Sequence, residues 1–485
     1  MGMNSAGLAG CAALLALCAA CEFDQGGPPG RGVLVIAVDA LRYDHLGLGG
    51  YDRPTSPTLD QLAREGVSFR NAFAAAPRQI PAHVALLSAC DPRLARRILP
   101  EDVQVNQATL WNWADDAPHP AATFLSQGFS TAAFYDHPNL APVYGYERGF
   151  GVYQGPARNP DTGTPEFGSA AVFRRFDRWL SQNPRHQDWF AYLEVADLER
   201  VWGERDERWD TYFPPRPELA RVPPVGDAQH LFFAVPRSRW PGGMTTWGEY
   251  EARYDGAILE FDGALARLRA RLEQLGRLEN TTVVVVGAYG MSFGESGLML
   301  DSGTLSDCDL HVPLIVRPAT ALAVRSGSES DALVSTCDVL PTLLELAGLR
   351  SEEGLDGRSF AEALTRADFS GREVVHASCA FQEGYAALDR EGCFERTWPG
   401  RGVDARLSAS WFGDPGLRPD VLREVYHDRR AGGLGHLEDA PATSEAAQRL
   451  AAAAGEWSRK VEGRRARLQG PVAPLAPAAP SSARR

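Results

Sequence analysis

The chain has 485 residues and a formal net charge of −13 at neutral pH. Its hydrophobic content of 44% and charged content of 23% are those of a globular protein large enough for two or three domains, or for one large α/β domain with an appendage. The acidic balance excludes a binder of nucleic-acid backbones, which needs a basic surface, and suits a soluble, self-repelling one.

The N-terminus reads "MGMNSAGLAGCAALLALCAACEFDQGG". Ala6 to Ala20 form an apolar run of signal-peptide length, too short to span a bilayer comfortably. Small residues precede Cys21 and a polar, Gly-rich stretch follows, the pattern of a bacterial lipoprotein signal. The expectation is an exported protein, periplasmic or at the cell surface, anchored by a lipid on Cys21. An ordinary cleaved signal or a misplaced start are the alternatives. Residues 21–31 then form a linker.

"GVLVIAVDALR" (Gly32–Arg42) is a continuous apolar run ending in Asp39, as a buried parallel strand reads. In "TSPTLDQLAREGVSF" Ser56 is the expected cap, Pro57 the first helical residue and Gly66 the stop. "FSTAAFY" (Phe129–Tyr135) and "WFAYLEV" (Trp189–Val195) are further strands. Tyr250, Tyr254, Ile258, Phe261, Leu265, Leu268, Leu272 and Leu275 recur every three or four residues and predict a long amphipathic helix that Gly276 ends. "TTVVVVG" and "VPLIVR" (Val312–Arg317) are buried strands, and Asp338 is the expected cap of "VLPTLLELAG". Strands alternating with helices predict a mostly parallel sheet covered on both faces. The organisation expected is a signal peptide (1–20), the linker (21–31), a main domain (32–350), a smaller C-terminal subdomain (351–467) and a disordered Pro/Ala-rich tail (468–485).

Beyond the leader lie Cys90, Cys308, Cys337, Cys379 and Cys393, without the CxxC spacing of a zinc cage. Export would permit a disulfide between Cys379 and Cys393. The odd count leaves at least one thiol free, and buried structural thiols are the simpler reading for the other three.

Six segments now stand in order: the stretch from "VLVIAVDALRYDHLG" to "LLSACDP", then "TAAFYDHPNLAPVYGYERGF", "YDGAILEFDGALARL", "SFGESG", "VPLIVR", and "DVLPTLLELAGL" with "GLDGRSF". Together they resemble the sulfatases of the alkaline phosphatase superfamily over about Gly32 to Leu364. The resemblance implies an α/β sandwich with a mostly parallel central sheet, helices on both faces and a smaller C-terminal subdomain. It also implies a site at the C-terminal ends of the strands.

Sulfatases carry their nucleophile in a C/S-x-P-x-R motif, with Cys or Ser matured to formylglycine. The matching stretch here is "QIPAH". Pro81 keeps the frame, His83 stands at the basic position, and the nucleophile position is Gln79, which has no thiol or hydroxyl to activate. The family's S-D-H/N-G-E-S-F-G-E-H-G motif supplies cation ligands. Here Gly287, Ala288 and Tyr289 fill its start, "SFGE" persists, and Ser296 replaces the last His. Asp39 is retained as a vestigial ligand or a strand-end cap, while Ala40 follows where a second Asp is common. Glu199 and Ser302 stand where the family has histidines.

The expectation is a sulfatase-like protein that has lost catalysis and needs no cofactor. It would bind a sulfated glycan or a partner protein, and no nucleic acid. The competing reading is an active sulfate- or phosphate-ester hydrolase with a non-standard ligand set and a divalent cation such as calcium. Asp136–His137 with Asp39, Asp197 and Glu199 is the candidate for a rebuilt metal site. His83 is expected on a helix surface or core edge, with contact to a bound anion as the alternative. The Gln79 amide could bond a sugar hydroxyl, and Trp111, Trp113, Trp202 and Trp240 could stack on sugars or pack against the domain.

Overall fold

The structure, a computed structural model, describes residues 29–95, 118–158, 162–202, 209, 212–219, 225–226, 235–236, 246–295, 299–322, 324–379, 384–397, 423–429 and 444–469. The leader with Cys21, the tail beyond 469, and Trp111, Trp113, Trp240 and Ser296 lie outside these residues, as does the side chain of Trp202.

Strand β1 (Gly32–Val38) is buried along its whole length. So are β5 (Trp189–Val195) and β6 (Thr281–Gly287). Runs this apolar are stable only with helices on both faces of the sheet. With β2 (Val67–Phe73), β3 (Ser130–Phe134), β4 (Val152–Gln154), β7 (Leu314–Arg317) and β8 (Ser328–Ser335) they form one eight-stranded sheet in the order β8-β2-β7-β6-β1-β5-β3-β4. Only β7 runs antiparallel to its neighbours. The α/β class and the mostly parallel central sheet therefore hold.

β1 sits between β5 and β6, pairing Val38 with Val195 on one side and with Gly287 on the other. Three strand ends thus finish level, and the chain leaves them in different directions. Open sheets bind ligands at such a point. Asp39 follows directly: its N–H reaches Val195 O at 2.9 Å, and the Ala288 N–H reaches Val38 O at 2.8 Å.

Helix α1 (Pro57–Glu65) buries Leu59 and Leu62. Ser56 does not cap it; the Ser56 Oγ instead accepts the Gly47 N–H. The cap comes from the long helix α4 (Trp247–Gln274), whose Asp262 carboxylate accepts the Thr58 and Leu59 N–H groups at 2.9 to 3.0 Å. Asp255, two turns earlier on the same helical face, accepts from Tyr51 and Arg53 and bonds His45. Each fully buried Leu, Ile or Phe of α4 stabilises the layer by roughly 1.5–3 kcal/mol. Between α1 and α4 lie α2 (Gln79–Ser88), buried at every residue, and α3 (Ser169–Gln182). Asp338 precedes the helix Val339–Leu346 without capping it, because its carboxylate binds the Ser335 and Arg358 N–H groups and Arg372.

The C-terminal segment contributes an antiparallel sheet of Val375–Cys379, Gly384–Leu388, Gly392–Thr397 and Arg423–Asp428, with helix Glu445–Gln469 packed against it. The five cysteines are free and buried. Cys379 and Cys393 are not bonded to each other; they lie on strands separated by a third, and their thiols meet Gly303 O and Leu305 O. Among the described residues no helix is long and apolar enough to cross a membrane.

Candidate functional site

The site forms where β1, β5 and β6 end. β1 delivers Asp39, β5 delivers Tyr192 and Glu194, and the turn after β6 delivers Ala288 and Tyr289. α2 begins with Gln79 and places His83 one turn later, so both side chains face the same spot. Asp39, His83, Glu194, Ala288 and Tyr289 are completely buried, and Gln79 is 6% exposed.

The Gln79 amide is held at both ends. Its Nε2 donates to Asp39 Oδ2 at 2.7 Å and lies 3.5 Å from Glu194 Oε1. Its Oε1 accepts from Asn139 Nδ2 at 3.0 Å. His83 Nε2 lies 2.7 Å from the other Asp39 oxygen, and its Nδ1 lies 2.6 Å from the Tyr192 hydroxyl. Glu194 Oε2 accepts the backbone N–H groups of Asp136 and His137.

Burial dominates the electrostatics. It pushes the His83 imidazole down to about 4, so the ring is neutral near neutral pH. A neutral ring facing a carboxylate carries its proton on Nε2 and accepts the Tyr192 hydroxyl on Nδ1. Burial also holds Asp39 well above the carboxylate range; Glu199 adds to the rise and the Gln79 hydrogen bond opposes it. Glu194 is raised by the same desolvation and by Asp39 beside it.

The rim is more open. The Tyr289 hydroxyl donates to Glu199 Oε1, and Glu199 Oε2 stands 3.8 Å from His137 Nε2. Asp136 and Asp197 do not join Asp39 in a metal site. Asp136 pairs with Arg200 at 2.6 Å and accepts the Gly168 N–H, while Asp197 accepts the Ser169 N–H and burial raises it to about 6. Ser302 also lies off the network, its carbonyl accepting from Arg78. His83 belongs to the fully buried centre and not to a helix surface. Asp39 is bonded by two side chains, so it is more than a backbone cap.

The intact "SFGE" has a mechanical role. Glu295 Oε1 accepts from Arg42 at 2.7 Å, and its Oε2 accepts the Phe293 N–H. Arg42 also donates to Met291 O and Asp44, so the exit of β1 is tied to the loop after β6.

A calcium ion takes about six to eight oxygens at roughly 2.3–2.6 Å. The residues here do not make that shell. Ala40 and Ala288 offer methyl groups, the Tyr289 hydroxyl is engaged by Glu199, and both Asp39 oxygens face donors. A smaller group of ligands does converge: Asp39, His83 and Glu194 each present one ligand atom, all within 4.8 Å of one another. Glu194, Tyr192 and Asn139 escaped the sequence reading. The one signal was a lone acidic residue inside the apolar strand "WFAYLEV".

The architecture is the mixed α/β fold, with a large mostly parallel central sheet, of sulfatase and alkaline-phosphatase-like structures. It is similar to the phosphonate monoester hydrolase of Agrobacterium radiobacter, with a TM-score of 0.66 and 18% identity over 90% of this chain and 96% of that one. The sulfatase family profile matches residues 31–349, and the chain belongs to that family. Among its relatives are an arylsulfatase of Clostridium perfringens, 22% identical over 414 residues (72% of this chain and 82% of the relative). Another is an ulvan-active sulfatase of Formosa agariphila, 24% identical over 385 residues (75% and 71%).

Proposed function

We propose that this sulfatase-family protein is a non-catalytic member of its family, acting as an exported binding protein anchored through a lipid on Cys21. The observation that carries the loss of catalysis is the Gln79 amide, fixed between Asp39 and Asn139 where the nucleophile would stand. An amide nitrogen has no free lone pair with which to attack sulfur or phosphorus. The charge that develops on a sulfuryl or phosphoryl group also lacks the calcium shell that would stabilise it. The ligand class is a sulfated glycan, supported by the relative that is an ulvan-active sulfatase. The leader ending at Cys21 supports export.

Purified protein is assayed with an aryl sulfate and a bis-aryl phosphate, and no turnover is expected. Turnover that disappears in Asp39→Ala would overturn the loss of catalysis. A panel of sulfated glycans is screened by thermal shift, with stabilisation expected from at least one of them. A flat response across the panel would refute the glycan as ligand and direct attention to a protein partner.

A further inference from the structure

Several buried carboxylates of this fold have an arginine beside them. Asp91 pairs with Arg93, Asp136 with Arg200, Asp255 with Arg53 and Asp338 with Arg372. Asp39 and Glu194 differ. Both are completely buried, they lie close enough to share the Gln79 amide, and among the described residues neither is ion-paired to Arg or Lys. Two adjacent carboxylates in a dry interior are costly unless a cation or protons neutralise them.

The groups around them have the geometry of a cation site. Glu194 is held through Oε2 by two backbone N–H groups, which aims its Oε1 at the centre with only a 3.5 Å contact to Gln79. His83 presents Nε2 and has the Tyr192 hydroxyl behind it on Nδ1. A ring that ligates through one nitrogen is usually oriented by a hydrogen bond at the other. The Gln79 amide completes the set. Its nitrogen faces the carboxylates while they need a donor; turned over, it presents Oε1 to the same point. Tetrahedral zinc with bonds of about 2.0–2.1 Å spaces its ligand atoms about 3.3–3.4 Å apart. Here the ligand atoms of Asp39, His83 and Glu194 lie within 4.8 Å of one another, and the Gln79 nitrogen, where its oxygen would stand, lies 2.7 Å from Asp39 Oδ2 and 3.5 Å from Glu194 Oε1.

We infer that Asp39, His83, Glu194 and Gln79 form a closed four-coordinate site for a first-row divalent cation, zinc above all. His83 would bind through Nε2, with its ring proton on Nδ1 and donated to Tyr192. Two carboxylates, a neutral imidazole and an amide oxygen neutralise the ion without further charge. Four protein ligands leave no position for a substrate, which makes the site structural.

The full chain is stripped with a chelator, dialysed, and titrated separately with zinc chloride and calcium chloride. Calorimetry should show one zinc bound per chain with a raised melting temperature, and no calcium bound. Cobalt(II) should give the intense visible absorption of tetrahedral coordination. Glu194→Gln keeps the oxygen that accepts the two backbone N–H groups. It should remain folded by circular dichroism, yet bind zinc more weakly by at least the roughly 100-fold that losing even a supporting residue can cost. Tyr192→Phe should lose about 10–100-fold. Folded protein that binds no zinc, or Glu194→Gln that binds it as tightly as the parent chain, would overturn the inference. These readouts use no substrate, so they stand or fall separately from the hydrolysis assay.

Discussion

Replacing Gln79 by Ala tests whether the amide is a structural member of the buried network. The Gln79 hydrogen bond to Asp39 Oδ2 is short at 2.7 Å, while the 3.5 Å approach to Glu194 adds little. A hydrogen bond to a charged or partly charged group contributes about 1.5–3 kcal/mol net, and leaving a buried acceptor unsatisfied costs more. Asn139 is half-buried and can turn to water, so its loss is small. The cavity left by the shortened side chain adds to the deficit. A total near 3–4 kcal/mol follows, to be read from denaturant unfolding at constant slope. Gln79→Glu sharpens the test, because it sets a third carboxyl against Asp39 and Glu194. Its deficit should be larger at pH 8 than at pH 5, where protonation relieves the repulsion. Gln79→Ser restores a hydroxyl, shares the stability loss and should give no sulfate-ester turnover, since Ala288 and Tyr289 still stand at the cation positions. A Gln79→Ala variant within about 0.5 kcal/mol of the parent, the range of an ordinary surface substitution, would refute the reasoning.

Two further outcomes concern the scaffold around the site. Asp309 is completely buried; it accepts from Gly303, from the Thr304 N–H and from the Thr304 hydroxyl, and burial raises it from 3.8 to about 7. The folded state then holds this proton more tightly than the unfolded chain, so stability falls as pH rises from about 4 through about 7. The difference amounts to about 4 kcal/mol on the alkaline side. Asp309→Asn should remove that share of the pH dependence in denaturation series run from pH 5 to pH 8, and an unchanged slope would count against it. Glu295→Gln should destabilise by about 1–2 kcal/mol, because Arg42 keeps Asp44 but loses its second carboxylate at a partly exposed pair. Thermal unfolding checks this, and a gain in stability would contradict the role given to "SFGE".

Much of the fold is legible because apolar periodicity reports burial directly. "WFAYLEV" and "TTVVVVG" coincide with their strands, since a strand buried on both faces reads as a near-continuous apolar run. Local capping chemistry was a weaker guide. Ser56 and Asp338 both have the residue type of a cap, yet Asp262 of a distant helix caps one end, and Arg358 and Arg372 claim the other carboxylate. The centre was half legible. Asp39, Gln79 and His83 could be placed by their motifs, but who bonds whom depends on the register of three strands and on the depth of α2. Glu194 was hidden for the same reason: a single acid in an apolar strand carries no motif, and its importance comes from pairing beside Ala37, one residue before the strand end.

The division between kept and altered residues follows mechanical role. Asp255 and Asp262 in "YDGAILEFDG" hold the first loops and cap α1, and Arg42 with Glu295 ties β1 to the loop after β6. None of these contacts involves Asp39, Gln79, His83 or Glu194. At the strand ends Gln79 and His83 each bond one oxygen of Asp39, and Tyr289 bonds Glu199. Removing calcium ligands one at a time would leave uncompensated carboxylates, which a buried site does not tolerate. On the reading proposed above, Ala288 in place of an acid would remove one such carboxylate, while the Gln79 amide and the neutral His83 ring supply hydrogen bonds to the Asp39 that remains. Asp39 and Glu194 are the carboxylates left to neutralise at this centre, and a single small cation or shared protons suffice for them.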